Sequence, residues 1–174
     1  AVIDTHNHAE HATAAPELRQ LLGVPYIMHQ DAPSSFVSER VNDNDERELA
    51  GIRVKFLYTP GHTPHLITLQ IDNHIFTGDS LFLKSCGRAD FPGIGDAGVQ
   101  FDSLQRLKEL PDNTMIHPGH DYNNELSITM GEARNLNKRL QFTDREAFIR
   151  FMDEFYRDNE KPDDWEWYVA YNAR

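Results

Sequence analysis

Apolar residues in this chain come in short runs, and the spacing inside each run says which element it forms. Ala1-Val2-Ile3 stops at Asp4, the pattern of a strand reaching its carboxyl-terminal tip. "PELRQLLG" predicts a short helix, with Pro16 in the first turn and Gly23 in the left-handed position just past the end. "VPYIMH" predicts a buried strand with a proline near its start. "DAPSSFVSERVNDNDERELAG" is polar and poorly periodic, and predicts a short helix and a surface loop. "IRVKFLY" alternates Ile52, Val54 and Phe56 with Arg53 and Lys55, a half-buried strand. "LITLQI" and "HIFT" flank Asp72-Asn73 as a hairpin. "FDSLQRLKEL" repeats Phe101, Leu104, Leu107 and Leu110 at helical spacing until Pro111-Asp112-Asn113 stops it, and "TMIH" then reads as a strand. Thr143 and Glu146 have capping-box spacing ahead of Phe148, Phe151, Met152 and Phe155, so an amphipathic helix follows whose aromatic stripe is core packing. Strands and helices alternate irregularly, which predicts a mixed α/β (α+β) chain rather than a parallel βαβ series. One domain over residues 1–174 is expected, since no repeat or linker divides them.

Composition narrows the partners. A net charge of −11 argues against nucleic-acid backbones and anionic membrane surfaces, both of which need a basic footprint. No apolar run approaches the length needed to span a bilayer. A small anionic substrate remains compatible, because a few arginines and a metal can make one pocket locally positive. Cys86 is the only cysteine, so no intrachain disulfide forms, and a reducing, cytoplasmic setting is expected. The sequence starts without a methionine and enters a strand at once, which leaves a removed targeting peptide open.

The histidines change the picture from fold to chemistry. Three of the nine, His6, His8 and His11, fall inside "DTHNHAEHA" at the tip of the first strand, with Glu10 among them. Imidazole and carboxylate together suit zinc, iron and related ions. Three further strand tips share one grammar, a His or Asp beside a glycine: "TPGH" ends at His62, "FTGD" at Asp79 and "HPGH" at His120. Glycine there lets the backbone turn sharply and approach closely. "GIGDAG" matches G-x-G-x-x-G by letter but follows no strand, and reads as a loop. His29, His65 and His74 read as surface or internally satisfied histidines, His117 as structural or as a support behind the ligands, and Cys86 as buried and inert.

In this order of ligands the chain resembles the metallo-β-lactamase superfamily, an αββα sandwich with its ligands on loops at one edge of two packed sheets. The usual first motif there is HxHxDH; this chain reads His6-Asn7-His8-Ala9-Glu10-His11. "FTGDSLFLKSCGRADF" and "HPGHDY" resemble most the persulfide dioxygenases of that superfamily. The resemblance implies a single Fe(II) per chain, with zinc as the alternative, held by His6, His62 and Asp79. It places His8, His11 and His120 around that ion as hydrogen-bonding groups. It implies glutathione persulfide and O2 as partners, sulfite and glutathione as products, and a homodimer. Arg88, Tyr122 and Arg139 match positions associated with the glutathione end, where an arginine fork grips carboxylates. A salt bridge to Asp90 is the other reading of Arg88, and simple packing that of Tyr122.

Two departures from the pattern stand out. Family members have several strands before the first histidine motif, and this sequence shows almost none; the expectation is that those residues are absent from this form or that a partner chain or domain swap completes the sheet. Glutamate replaces aspartate at Glu10, and Pro64-His65 stands where "HTPG" is usual. In dinuclear relatives the positions of Glu10, His11 and His120 hold a second metal, and the longer glutamate is expected to leave that site weak. A dinuclear thioester hydrolase of the glyoxalase II type and a non-catalytic member of the fold are the alternatives.

Overall fold

The computed structural model describes residues 1–8, 11–91, 93–122 and 124–157. The first strands are β1 (Val2–Ile3), β2 (Tyr26–His29) and β3 (Glu39–Val41), paired in parallel in that order, with helix α1 (Ala15–Leu22) between β1 and β2. The second sheet runs β4 (Glu46–Leu49), β5 (Ile52–Tyr58), β6 (Ile67–Ile71), β7 (His74–Gly78), β8 (Met115–Pro118) and β9 (Ile128–Thr129). Its pairs are antiparallel except β7–β8. Helices α2 (Ala97–Lys108), α3 (Met130–Leu136), α4 (Lys138–Gln141) and α5 (Arg145–Tyr156) follow or interrupt it.

Side-chain alternation sorts the apolar residues into layers. Tyr26 and Met28 of β2 face Ala15 of α1, while Ile27 on the other face joins Val41, Val54, Phe56 and Ile67 between the two sheets. Leu57 and Ile75 point the opposite way, into a cluster with Leu104 and Leu107 of α2, Met130 of α3 and Phe148 and Met152 of α5. The order is therefore helix, sheet, sheet, helices, the αββα arrangement expected. Two-residue hairpins set the register. Ala50 and Gly51, both at positive φ (53° and 81°), join β4 to β5, as the twist of a two-residue turn demands. Asp72-Asn73 joins β6 to β7, as expected.

The structure departs from the pattern reading in four places. Residues 31–51 hold no helix; they form β3 and β4 instead. These are charged strands, with Val41 the only buried residue of β3 and an alternating half-exposed pattern in β4, so little apolar signal marks them. Ile52 is exposed at the outer end of β5 and takes no part in the core face with Val54 and Phe56. The loop read at "GIGDAG" ends earlier than expected, because the Asp96 carboxylate accepts the N–H of Val99 and starts α2 at Ala97. Asp144, not Thr143, caps α5 through Ala147 N–H, and the capping box is Thr129 with Glu132 at the head of α3.

Candidate metal centre and its pocket

β5, β7 and β8 all run in one direction, so their carboxyl ends share an edge of the second sheet. His62, Asp79 and His120 sit on the loops leaving those ends. The loop after β1 is brought to the same edge by Thr5, whose carbonyl accepts Ile67 N–H at 3.0 Å. Thr5 also lies against Gly78: a Cβ there would come 2.5 Å from Thr5 Oγ1, and φ at Gly78 is +50°. Glycine at this strand tip is what lets the first histidine loop close down on it. Gly119 serves the same purpose beside the carboxylate, where a Cβ would lie 2.5 Å from Asp79 Oδ1.

The result is a cluster of imidazoles. Ligand atoms of His6, His8 and His62 all lie within 4.8 Å of one another. Asp79 Oδ2 is 3.5 Å from His62 Nε2 and 3.4 Å from His120 Nε2, so one carboxylate joins two of the ligand-bearing loops. His11 and His120 face each other with ring centres 5.2 Å apart. The structure thus brings His6, His8, His62, Asp79 and His120 to one place, and His8 lies as deep in the cluster as the histidines expected to be ligands. Glu10 lies outside the described residues.

Hydrogen bonds at the outer nitrogens orient the rings. His62 Nδ1 donates to the Arg88 carbonyl at 2.6 Å, which puts the proton on Nδ1 and the lone pair on Nε2. His6 Nδ1 pairs with Thr5 Oγ1 at 3.0 Å. Burial, then the neighbouring His62, His8, His65 and His120, holds the His6 pKa well below the usual histidine range, so it stays neutral. Neutral imidazole is the form that binds metal.

Beside the cluster opens a cavity of about 300 Å³ lined by His62, Asp79, Arg88, Tyr122, Arg139 and Tyr156 among others. Arg139 is buried, its guanidinium 4.7 Å from the Phe155 ring centre and 5.1 Å from that of Phe151. Arg88 grips Asp90 through two nitrogens at 2.7 and 2.8 Å, the salt bridge weighed from the sequence. Tyr122 is exposed and stacks on His120. Cys86 is buried in the same wall, and its burial pushes the thiol up to about 12, which keeps it protonated and inert.

Several residues here escaped the sequence reading. Asn137 is fully buried; its amide donates to the carbonyls of Phe82 and Ser85, and its oxygen accepts Arg139 N–H, so it fixes one wall and one cation together. Phe155 was expected in the core stripe of α5 but lines the cavity with Tyr156, because α5 docks on α2 through Phe148 and Phe101 and leaves its last turn facing Arg139. Only the docking of α5 decides this, and no local sequence signal carries it. Of the two readings offered for His29 and His65, the internally satisfied one holds: both are buried, His29 stacks on Tyr58, and His65 accepts Asn7 N–H. His74 and His117 pair with each other at 2.9 Å.

Comparison with known proteins follows the same line. The family model described as Metallo-beta-lactamase superfamily matches residues 1–120. The mitochondrial persulfide dioxygenase ETHE1 of Bos taurus is 33% identical over 154 residues, covering 87% of this chain and 60% of that protein. A hydroxyacylglutathione hydrolase of Glaesserella parasuis is 36% identical over 123 residues, covering 70% of this chain and 51% of that protein. The chain thus spans about three fifths or less of these relatives' length. The crystal structure of ETHE1 from Myxococcus xanthus superposes with a TM-score of 0.91 at 34% identity, over 99% of this chain and 75% of that one. Among the described residues, no helix is long and apolar enough to cross a membrane.

Proposed function

The chain belongs to the metallo-beta-lactamase superfamily, and within it we propose a persulfide dioxygenase that converts glutathione persulfide, O2 and water to glutathione and sulfite. The observation that carries this reading is the shared pocket: His62 and Asp79 open onto the same cavity as Arg88, Tyr122 and Arg139. A sulfur placed at the metal-ligand residues therefore has cations within reach of its carrier's carboxylates. The likeness to the persulfide dioxygenases supports the same choice.

The donor set fits one Fe(II) per chain on His6, His62 and Asp79. His6 is held neutral by burial, and each imidazole has its outer nitrogen engaged, by Thr5 for His6 and by the Arg88 carbonyl for His62. When bound, iron on two imidazoles and a carboxylate supplies redox chemistry and keeps coordination space for exogenous ligands. His8 and His120 lie beside that position, with His11 facing His120, and would hold hydrogen bonds to what enters it. Arg139, packed against two rings of α5, is the main grip for the tripeptide carboxylates. Arg88 contributes less, since Asp90 already engages two of its nitrogens. Tyr122 stands at the mouth and offers its hydroxyl. The buried thiol of Cys86 accords with a cytoplasmic setting.

A second reading has an observation of its own. Asp79 reaches both His62 and His120, the position of a carboxylate between two metals, and the glyoxalase II type of thioester hydrolase uses such a pair. Elemental analysis of the protein as isolated, with oxygen uptake on glutathione persulfide and hydrolysis of a glutathione thioester, separates the two. One iron with oxygen uptake is expected. Two zinc ions with thioester hydrolysis and no uptake overturn the dioxygenase, and neither activity leaves a non-catalytic member of the fold.

A further inference from the structure

From the geometry of the first histidine loop we infer that His65 is a positioning residue of the metal centre: its ring accepts the backbone N–H of Asn7 and so sets His6 and His8 relative to His62. The inference rests on His6 and His62 being metal ligands with His8 beside them, and not on which reaction the metal performs.

Asn7 N lies 3.0 Å from His65 Nε2, a buried contact between residues 58 positions apart. Asn7 is the single residue between His6 and His8, so the bond is made to the backbone of the motif itself. His65 sits three positions after His62, so one side chain ties the two loops that carry the clustered imidazoles. The backbone amide can only donate, which makes Nε2 the acceptor and puts the ring proton on Nδ1. Both residues are buried, and Pro64 beside His65 is itself held, its carbonyl accepting the Tyr58 hydroxyl at 2.6 Å. Where the motif reads "HTPG", glycine has no side chain to offer at this position. This chain has an acceptor there.

The physical consequence follows from tolerance. Ligand distances at a metal hold within about 0.2 Å, and losing a residue that orients the ligands costs roughly ten- to a hundredfold in metal affinity. Without an acceptor the Asn7 N–H is buried and unsatisfied, and the loop relieves that by moving. His6 and His8 move with it.

The test uses the full chain, stripped of metal and titrated with Co(II) and Zn(II) against a chromogenic chelator. The visible Co(II) absorption serves as the reading of site geometry. His65→Leu keeps bulk and removes the acceptor; His65→Gln returns an amide oxygen close to the Nε2 position. Expected for His65→Leu is an affinity about ten- to a hundredfold weaker with an altered Co(II) spectrum, and for His65→Gln an affinity within about threefold of the parent. Thermal unfolding of the metal-free proteins controls for folding. A folded His65→Leu protein with parental affinity and spectrum overturns the inference. So does a folded His65→Gln protein that binds as weakly as the leucine variant, since packing and not the acceptor would then be at work. Should His65→Leu fail to fold, His65→Ala, which also lacks the acceptor, takes its place and is read by the same two outcomes. A parent chain that takes up neither ion overturns the metal reading together with this one.

Discussion

At the scale of single residues, the site works because small groups stand where backbones must meet and long cations stand where rings hold them. Gly78 and Gly119 let a threonine and an aspartate reach strand tips that any Cβ would block. Their part was legible as a grammar of glycine beside ligand, but the specific clash was not, because it depends on which loop arrives from elsewhere. Arg139 shows the converse. Its sequence neighbourhood is ordinary, and what makes it a candidate anion grip is burial against Phe151 and Phe155 with Asn137 holding its backbone. Arg139→Ala is expected to raise KM for glutathione persulfide more than it lowers kcat, because a contact to remote carboxylates is nearly uniform between ground and transition states. A charged hydrogen bond of about 1.5–3 kcal/mol corresponds to roughly ten- to a hundredfold. Steady-state kinetics with metal content measured in parallel checks this; an unchanged KM at full metal content removes Arg139 from the substrate end.

At the scale of elements, legibility followed the strength of the apolar period. β5 to β8, α2 and α5 were readable, because each buries a face and so carries a period of two or of three to four residues. β3 and β4 were not, since Glu39, Arg40, Glu46 and Glu48 dominate strands that bury little. α3 and α4 went unread for a related reason: seven and four residues, with Met130, Ala133, Arg139 and Leu140 buried between them, give no repeat to count. The start of α5 was misplaced by one position, and that difference is testable. Asp144 Oδ1 accepts Ala147 N–H at 2.6 Å, whereas Thr143 precedes the cap. Asp144→Ala should cost about 1 kcal/mol, a lowering of Tm by about 2–4 °C in a chain of this size. Thr143→Ala should leave Tm within about 1 °C, as a change outside the cap does. Scanning calorimetry of the pair decides it; equal losses, or a larger one for Thr143→Ala, would return the cap to the threonine. Since α5 also carries Phe155 and Tyr156 to the cavity wall, its anchoring at the far end bears on the pocket as well as on stability.

For the whole molecule, the αββα layers bury neutral histidines among groups that would be charged in the open chain, and this couples folding to pH. Burial holds His65 at about 4 and lowers His29 as well, against an ordinary value of 6.5. The unfolded chain then binds more protons than the folded one between those values, so stability is full above about pH 6.5 and is lost as pH falls toward 4. Linkage for His65 alone amounts to about 2 kcal/mol by pH 5, with His29 adding to it. The opposing effect is relief of self-repulsion in a chain of net charge −11. Ordinary carboxylates titrate near 4, so between pH 6.5 and 5 that relief is small and the histidines decide the sign. Metal must be removed first, because protons compete with it for the same imidazoles and would add a second dependence. The metal-free protein is therefore expected to unfold about 4–8 °C lower at pH 5.0 than at pH 7.5, and His65→Gln, which removes one of these buried titrations beside those of His6 and His29, should shrink that difference. Thermal unfolding in chelator-treated buffers at the two pH values measures both. A Tm that is equal or higher at pH 5.0 would mean that charge relief across the surface outweighs the buried imidazoles, and the argument from burial would fail for the molecule as a whole.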